Sequence, residues 1–336
     1  MRAAVTTRHG DISCIVMRGD YPDPKPASDE VVVKVAATGV NYHDVFTRRG
    51  MPGIRSSLPV IVGSDIAGEV VCLGSEVRNW ELGARVLVDP VFRDGRRIGL
   101  LGETANGGRA EFVAVPAAQL LPVPPAVSLE AAAALPLAYG TAHRMLHARG
   151  TLTAGDLILV LGASGGVGVA CVQLAKIAGA EVIACAGSSR KIARLAELGA
   201  DHCVDYSQQD FADAVHRIVG KPRISGSGGV DMAVNFTGGD TWIPTQKCVR
   251  AGGTILTCGA TAGYDVHMDL RYAWTFEQTV VGSNGWSMND LQALVAMTAA
   301  GRLAPQIDRV LPLADSAEAE RMLEERRVFG KIILKP

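Results

Sequence analysis

The 336-residue sequence lacks a charge bias, because 33 basic residues face 34 acidic ones for a formal net charge of −1. The two signs are interspersed, so no basic face points to nucleic acid and no block of like charge points to a disordered tail. It has no run of about eighteen apolar residues, which argues against a membrane span. The opening MRAAVTTRHGD holds no apolar stretch of the kind an export signal needs. None of the seven cysteines (14, 72, 171, 185, 203, 248, 258) forms a C-x-x-C pair. Most sit in apolar segments, as buried thiols of a reducing compartment do. These absences predict a soluble, cytoplasmic protein without nucleic-acid or membrane partners. Aromatic residues are scarce at 5% while glycines number 38, a balance that suits the tight turns of an α/β protein.

What is present falls into two patterns. The first third alternates short apolar runs with Gly and Pro: Val31 to Ala37, Gly68 to Leu73 and Ala84 to Val88 read as strands of a barrel-like or sandwich-like region. Near Ser128 the pattern becomes helical, with Ser128 as N-cap and Glu130 behind it. From Asp156 strands and helices alternate. The expected strands are Leu157 to Leu161, Glu181 to Ala186, Val230 to Phe236, Thr254 to Cys258 and Thr279 to Gly282; the expected helices are Gly166 to Ala178 and Ser189 to Leu198. That alternation predicts a doubly wound parallel sheet. Beyond Arg302 short strands return around one helix, Ser316 to Glu325, and the chain closes on the strand-like Lys331 to Leu334. The expected architecture is therefore a dinucleotide-binding domain, 134–300, inserted into a mostly β domain made of 1–133 and 301–336.

The strongest motif is Gly162-Ala163-Ser164-Gly165-Gly166-Val167-Gly168, placed between an apolar strand and a helix. Glycines there permit a tight turn and let backbone N–H groups approach a pyrophosphate, with the helix dipole favouring its charge. An NAD site ordinarily has an acidic residue at the end of the second strand, on the adenosine ribose. This chain has Ala186-Gly187-Ser188-Ser189-Arg190-Lys191 instead. Hydroxyls and cations suit a 2′-phosphate, which a carboxylate would repel, so NADPH is the expected cofactor.

With these residues in view, the chain resembles the medium-chain dehydrogenase/reductases, in particular their zinc-independent, quinone-oxidoreductase-like branch. The landmarks are Gly39-Val40-Asn41-Tyr42-His43-Asp44, Gly63-Ser64-Asp65-Ile66-Ala67-Gly68-Glu69-Val70 and Gly107-Gly108-Arg109-Ala110-Glu111-Phe112. Leu137-Ala138-Tyr139-Gly140-Thr141-Ala142, the glycine loop and Phe329-Gly330-Lys331-Ile332-Ile333-Leu334 complete the set. The resemblance implies a GroES-like catalytic domain around a Rossmann sheet, and a homodimer or homotetramer. Zinc relatives carry Cys where this chain has Asn41 and His where it has Ser64, and their third ligand falls near Ala133. Their structural zinc lobe has four cysteines where this chain reads PVFRDGRRIGLLGETAN. Zinc requires several thiolate, imidazole or carboxylate ligands at about 2.0–2.3 Å, so no metal is expected. His143 and His147, four apart on a helix, lack an evident third ligand and read as ordinary histidines.

The same resemblance places Asn41 beside the nicotinamide and substrate, with Tyr42 and His43 as candidate proton donors and Thr141 touching the nicotinamide. It assigns the adenosine phosphate to Ser188, Lys191 and Tyr206, and further cofactor contacts to Asn235, Gly259, Ala260, Ser283 and Lys331. Asp44 and Asp65 read as orienting or structural carboxylates. Phe46, Met51, Ile54, Trp274 and Trp286 are candidate apolar lining of a substrate cleft, and equally of core or subunit contacts. Without zinc to hold an alkoxide, a conjugated acceptor is favoured: hydride enters at the β carbon and the charge spreads into an enolate, which hydrogen-bond donors can stabilise. The expected activity is NADPH-dependent reduction of a quinone, enone or enoyl thioester. The alternatives are a metal-free alcohol or aldehyde dehydrogenase and a non-catalytic, crystallin-like NADPH-binding protein.

Overall fold

The computed structural model describes residues 1–54, 56–94 and 97–336. The chain forms two compact units, Met1–Ala138 with Leu291–Pro336, and Tyr139–Asp290. The junctions therefore lie five residues later and ten earlier than the composition shifts suggested, the second of them within the Met288–Ala299 helix.

In the first unit a seven-stranded sheet runs in the order Leu120–Pro122, Arg85–Val88, Asp65–Leu73, Glu30–Val40, Lys331–Lys335, Ile307–Pro312, with Phe112–Pro116 also paired to Glu30–Val40. The β-branched run of Glu30–Val40 stiffens that strand and supplies its packing. Val31, Val33 and Val35 join Ile66, Val70, Val86 and Val88 in one buried cluster, each such side chain stabilising by about 1.5–3 kcal/mol. Two registers place the functional residues. Gly39 stands opposite Asp65, and Ile332 stands opposite Val40. The ends of three strands remote in sequence thereby meet beside Asn41. The helix Tyr42–Arg49 leaves from that corner and stops at Gly50, whose φ of +73° suits the left-handed region.

The second unit is the six-stranded parallel sheet His202–Asp205, Glu181–Ala186, Leu157–Val160, Val230–Val234, Val249–Thr257, Thr279–Gly282. This is the expected doubly wound order, with the first strand of the unit at the centre. Ile158, Leu159 and Val160 are wholly buried, which is why that strand reads as a continuous apolar run. The helices Gly166–Ile177 and Ser189–Glu197 match their expected places. The strand His202–Asp205 and the helix Phe211–Val219 were not anticipated. The strand is four residues long with only Val204 fully buried, too short for a periodic signal. The region after Ser128 is helical in consecutive pieces, Leu129–Ala133, Leu135–Gly140, Thr141–His143 and Arg144–Arg149, the second and fourth wound as wide π turns. Among the described residues no helix is long and apolar enough to cross a membrane.

Candidate active site

The backbone of the glycine loop has the geometry that an anion site requires. Gly162 has φ +63°, and the Gly165 N–H bonds back to its carbonyl at 3.0 Å. A Cβ on Gly168 would lie 2.3 Å from that same carbonyl oxygen, so the helix can start this close to the strand only with glycine there. The N-cap, Gly165, brings no side-chain acceptor to the helix Gly166–Ile177. The first-turn N–H groups, those of Gly166, Val167 and Gly168 included, have no intrahelical partner, and the helix dipole adds positive potential where they point. A side-chain-free helix N-terminus of this kind fits a pyrophosphate. Ala163 and Ser164 in the same loop are buried.

At the end of the next strand, Ser188 caps the helix Ser189–Glu197 by accepting the Lys191 N–H. Gly187 lets the Tyr206 ring close onto the backbone, since a Cβ there would fall 2.7 Å from a ring carbon. Asp205, one strand over, accepts from the Ser207 hydroxyl and N–H, which hold its carboxyl below the ordinary range. Asn235 is fully buried and its amide is spent on the turn that follows Val230–Val234. It donates to Thr245 Oγ1 (2.9 Å) and Thr241 Oγ1 (3.1 Å) and accepts the N–H groups of Thr237 and Gly238. The structure thus gives it a loop-shaping role. Ser283, after the last strand of this sheet, has a buried hydroxyl that meets no hydrogen-bond partner among the described residues. Gly259 is exposed, Ala260 half-buried and Thr141 buried.

In the first unit the decisive residue is Asn41. It stands at the N-cap of Tyr42–Arg49, where an Asn side chain ordinarily accepts from the first turn. Here it stands in a capping box with Asp44, and its amide also has partners outside the helix. Its Oδ1 accepts from the Lys331 ammonium and its Nδ2 donates to Asp65 Oδ2 at 2.9 Å. In that box Asp44 Oδ2 accepts the Asn41 N–H at 2.9 Å. Lys331 also reaches Asp65 Oδ2 (2.8 Å) and the Val40 carbonyl (3.1 Å). Asp65 Oδ1 takes the Leu137 N–H at 2.8 Å. Gly39 makes room for this, because a Cβ there would lie 2.7 Å from Asp65 Oδ2 and 2.8 Å from the Ala133 carbonyl. Lys331, expected at the cofactor, spends its three N–H donors on Val40, Asn41 and Asp65 and is 1% exposed.

Beneath the cluster lies a buried charge network. Arg109 donates to Asp44 (2.8 Å) and Glu320 (2.5 Å), and Arg48 to Glu320 (2.6 Å) and Glu324 (2.6 Å). Burial pushes the Asp44 carboxyl up against the opposing pull of Arg109. His43 pairs through Nε2 with Glu103 at 2.7 Å, both half-buried, while Tyr42 sets its ring edge-on to Phe46. Sequence reasoning missed Glu103 and Glu320. They lie 60 and 211 residues from the partners His43 and Arg109, and no local spacing signals such pairs. The structure brings together Asn41, Asp44, Asp65 and Lys331 in one unit; Thr141, the glycine loop, Ser188, Lys191, Tyr206, Asn235, Gly259, Ala260 and Ser283 belong to the other. Of the apolar candidates, Trp286 is buried and Trp274 is 66% exposed. His143 is bonded to Asp290 at 2.7 Å, with His147 beside it.

The positions expected to match the zinc ligands of relatives hold Asn41, Ser64 and Ala133, and the first of them is bonded to the Lys331 ammonium. Among the described residues no group of three or more His, Cys, Asp or Glu is placed to hold a metal ion. The stretch 90–106, where relatives keep four cysteines, includes Gly95 and Arg96, which lie outside the described residues.

Two family models match the chain, the alcohol dehydrogenase GroES-like domain over residues 27–125 and the zinc-binding dehydrogenase over residues 166–300. A 2-methylene-furan-3-one reductase of Solanum lycopersicum is 30% identical, across all of this chain and 79% of its own length. The chain belongs to the medium-chain dehydrogenase/reductase superfamily. Within it the affinity is to the quinone-oxidoreductase-like branch, and the protein is an oxidoreductase of that superfamily. Among solved structures, an NAD-dependent alcohol dehydrogenase is similar with a TM-score of 0.93, 35% identity and complete coverage of both chains. The 2-octenoyl-CoA carboxylase reductase CinF, in complex with NADP and 2-octenoyl-CoA, is similar with a TM-score of 0.86 at 30% identity, covering 99% of this medium-chain dehydrogenase/reductase and 87% of CinF.

Proposed function

We propose that this protein is an NADPH-dependent, zinc-independent reductase of a small activated acceptor, a quinone, an enone or an enoyl thioester. The observation that carries the reading is what stands at the expected ligand positions: an amide, a hydroxyl and a methyl side chain, of Asn41, Ser64 and Ala133, with the amide bonded to an ammonium that is paired with Asp65. The amide and the hydroxyl can donate hydrogen bonds to oxygen, and amide, hydroxyl and methyl are not the thiolate and imidazole ligands that zinc takes. Bound NADPH supplies the hydride. Gly162 to Gly168 hold the pyrophosphate, and Ser188, Lys191 and Tyr206 receive the 2′-phosphate, with no carboxylate at the end of Glu181–Ala186 to repel it.

Asn41 then has a defined task. One of its Nδ2 hydrogens goes to Asp65 and the other is available to the oxygen of a conjugated carbonyl. As hydride reaches the β carbon, that oxygen becomes an enolate, and a fixed donor aimed at it lowers the barrier. His43, oriented by Glu103, is the candidate proton source for the α carbon or the quinone oxygen. The NADP and enoyl-CoA bound by CinF and the enone acceptor named for the tomato relative support this reading. The resemblance to an NAD-dependent alcohol dehydrogenase favours a second one, metal-free alcohol or aldehyde chemistry with His43 as the acid. We take the protein to act on small molecules, as a homodimer or homotetramer.

The test is NADPH and NADH oxidation with a quinone, an enone, an enoyl thioester and an aldehyde, each with and without a chelator. Turnover of the conjugated acceptors with NADPH, unchanged by chelator, is expected. Turnover of the aldehyde alone, or inhibition by chelator, would overturn the reading.

A further inference from the structure

We propose that Lys331 is a positioning residue of the active site, whose ammonium both fixes the Asn41 amide and polarises it as an oxyanion donor. The inference rests on the reading of Asn41 given above and goes beyond it by naming the residue through which Asn41 acts.

Lys331, Asn41 and Asp65 form a closed triangle: Lys331 Nζ to Asn41 Oδ1, Asn41 Nδ2 to Asp65 Oδ2, and Lys331 Nζ to the same Asp65 oxygen. An ammonium can only donate and an ionised carboxylate can only accept. The amide therefore has one permitted orientation, with oxygen toward Lys331 and nitrogen toward Asp65. Among the described residues the second Nδ2 hydrogen meets no acceptor, although Asn41 is 95% buried. Burying an ammonium and a carboxylate carries a desolvation penalty that apolar residues would avoid, so stability alone gives little reason for the triangle. What the cation does chemically is draw electron density onto the amide oxygen. Amide resonance passes that deficit to the nitrogen, and a polarised chain of hydrogen bonds strengthens the next donor in line. Asp65 counterbalances the charge and holds the other N–H, so the polarisation is expressed at the free hydrogen.

The experiment is a double-mutant cycle on the full-length protein with Asn41→Ala, Lys331→Met and both together. Steady-state kcat for an enone is compared with the NADPH Kd from fluorescence titration. Removing one oxyanion donor costs about 10²-fold or more in kcat, and we expect that for Asn41→Ala. Lys331→Met is expected to lose about 10-fold or more, with the NADPH Kd held within about threefold, and to lose almost nothing further in the Asn41→Ala background, as coupled residues do. A readout without cofactor accompanies this. The side-chain amide cross-peak pair of Asn41 in a ¹⁵N–¹H spectrum, identified by its loss in Asn41→Ala, should shift upfield in Lys331→Met. Additive losses, an unmoved cross-peak, or a rise in Kd that accounts for the whole defect would overturn the proposal, the last by making Lys331 a cofactor ligand. If Asn41→Ala keeps full kcat, the oxyanion-donor reading itself falls. If Asn41→Ala is impaired and Lys331→Met is not, only the present inference falls. Should Lys331→Met fail to fold, Lys331→Gln keeps a neutral donor near the same oxygens and is held to the same expectations.

Discussion

Replacing Arg109 with Met strands a carboxylate in the interior. Arg109 is wholly buried, and its guanidinium lies 2.8 Å from Asp44 and 2.5 Å from Glu320. Glu320 keeps Arg48 at 2.6 Å, so Asp44 is the group left without a cation. Removing one partner of a buried pair costs about 3–5 kcal/mol. At roughly 2–4 °C per kcal/mol for a unit of this size, Tm should fall by about 10 °C. The pH dependence gives the mechanism away. Burial already raises the Asp44 carboxyl above the ordinary carboxylate range while Arg109 opposes the rise, and without Arg109 it rises further. A group whose pKa is higher folded than unfolded stabilises fully below the unfolded value, and that contribution is lost as pH climbs through the folded one. The Arg109→Met deficit should therefore be small near pH 4 and complete by neutral pH, and adding Asp44→Asn should recover much of it. Thermal melts of the three proteins from pH 4 to 8 test this. A deficit that does not change with pH, or that stays under about 2 °C at neutral pH, would refute the role given to the network.

Two further outcomes are expected. Lys191→Ala should weaken NADPH by about 10–100-fold through loss of a charge-assisted contact while changing NADH little, measured by fluorescence titration; equal losses would mean that the 2′-phosphate lies elsewhere. Trp274→Glu with Leu270→Glu should shift the protein to a smaller species in light scattering if a second copy covers this apolar patch. Those two residues are 66% and 60% exposed, and the edge strand Thr279–Gly282 includes the exposed Val280.

Much of the second unit was legible because its signals are local. A strand buried on both faces must be apolar throughout, as Leu157–Val160 is, and a helix that starts against a strand needs glycine at Gly162 and Gly168. The strand Glu181–Ala186 matched its expected limits for the same reason. Val249–Thr257 was read only from Thr254, because Ala251-Gly252-Gly253 breaks the apolar pattern where the pairing register shifts. By itself, then, the sequence determined the sheet class and the glycine turn between its first strand and helix. Only the tertiary structure decided what Asn41 is bonded to. Lys331 is 290 residues away and Asp65 is 24. They converge through two antiparallel registers, Gly39 opposite Asp65 and Ile332 opposite Val40. Strand pairing across such separations follows from packing of the whole unit, which no local pattern encodes.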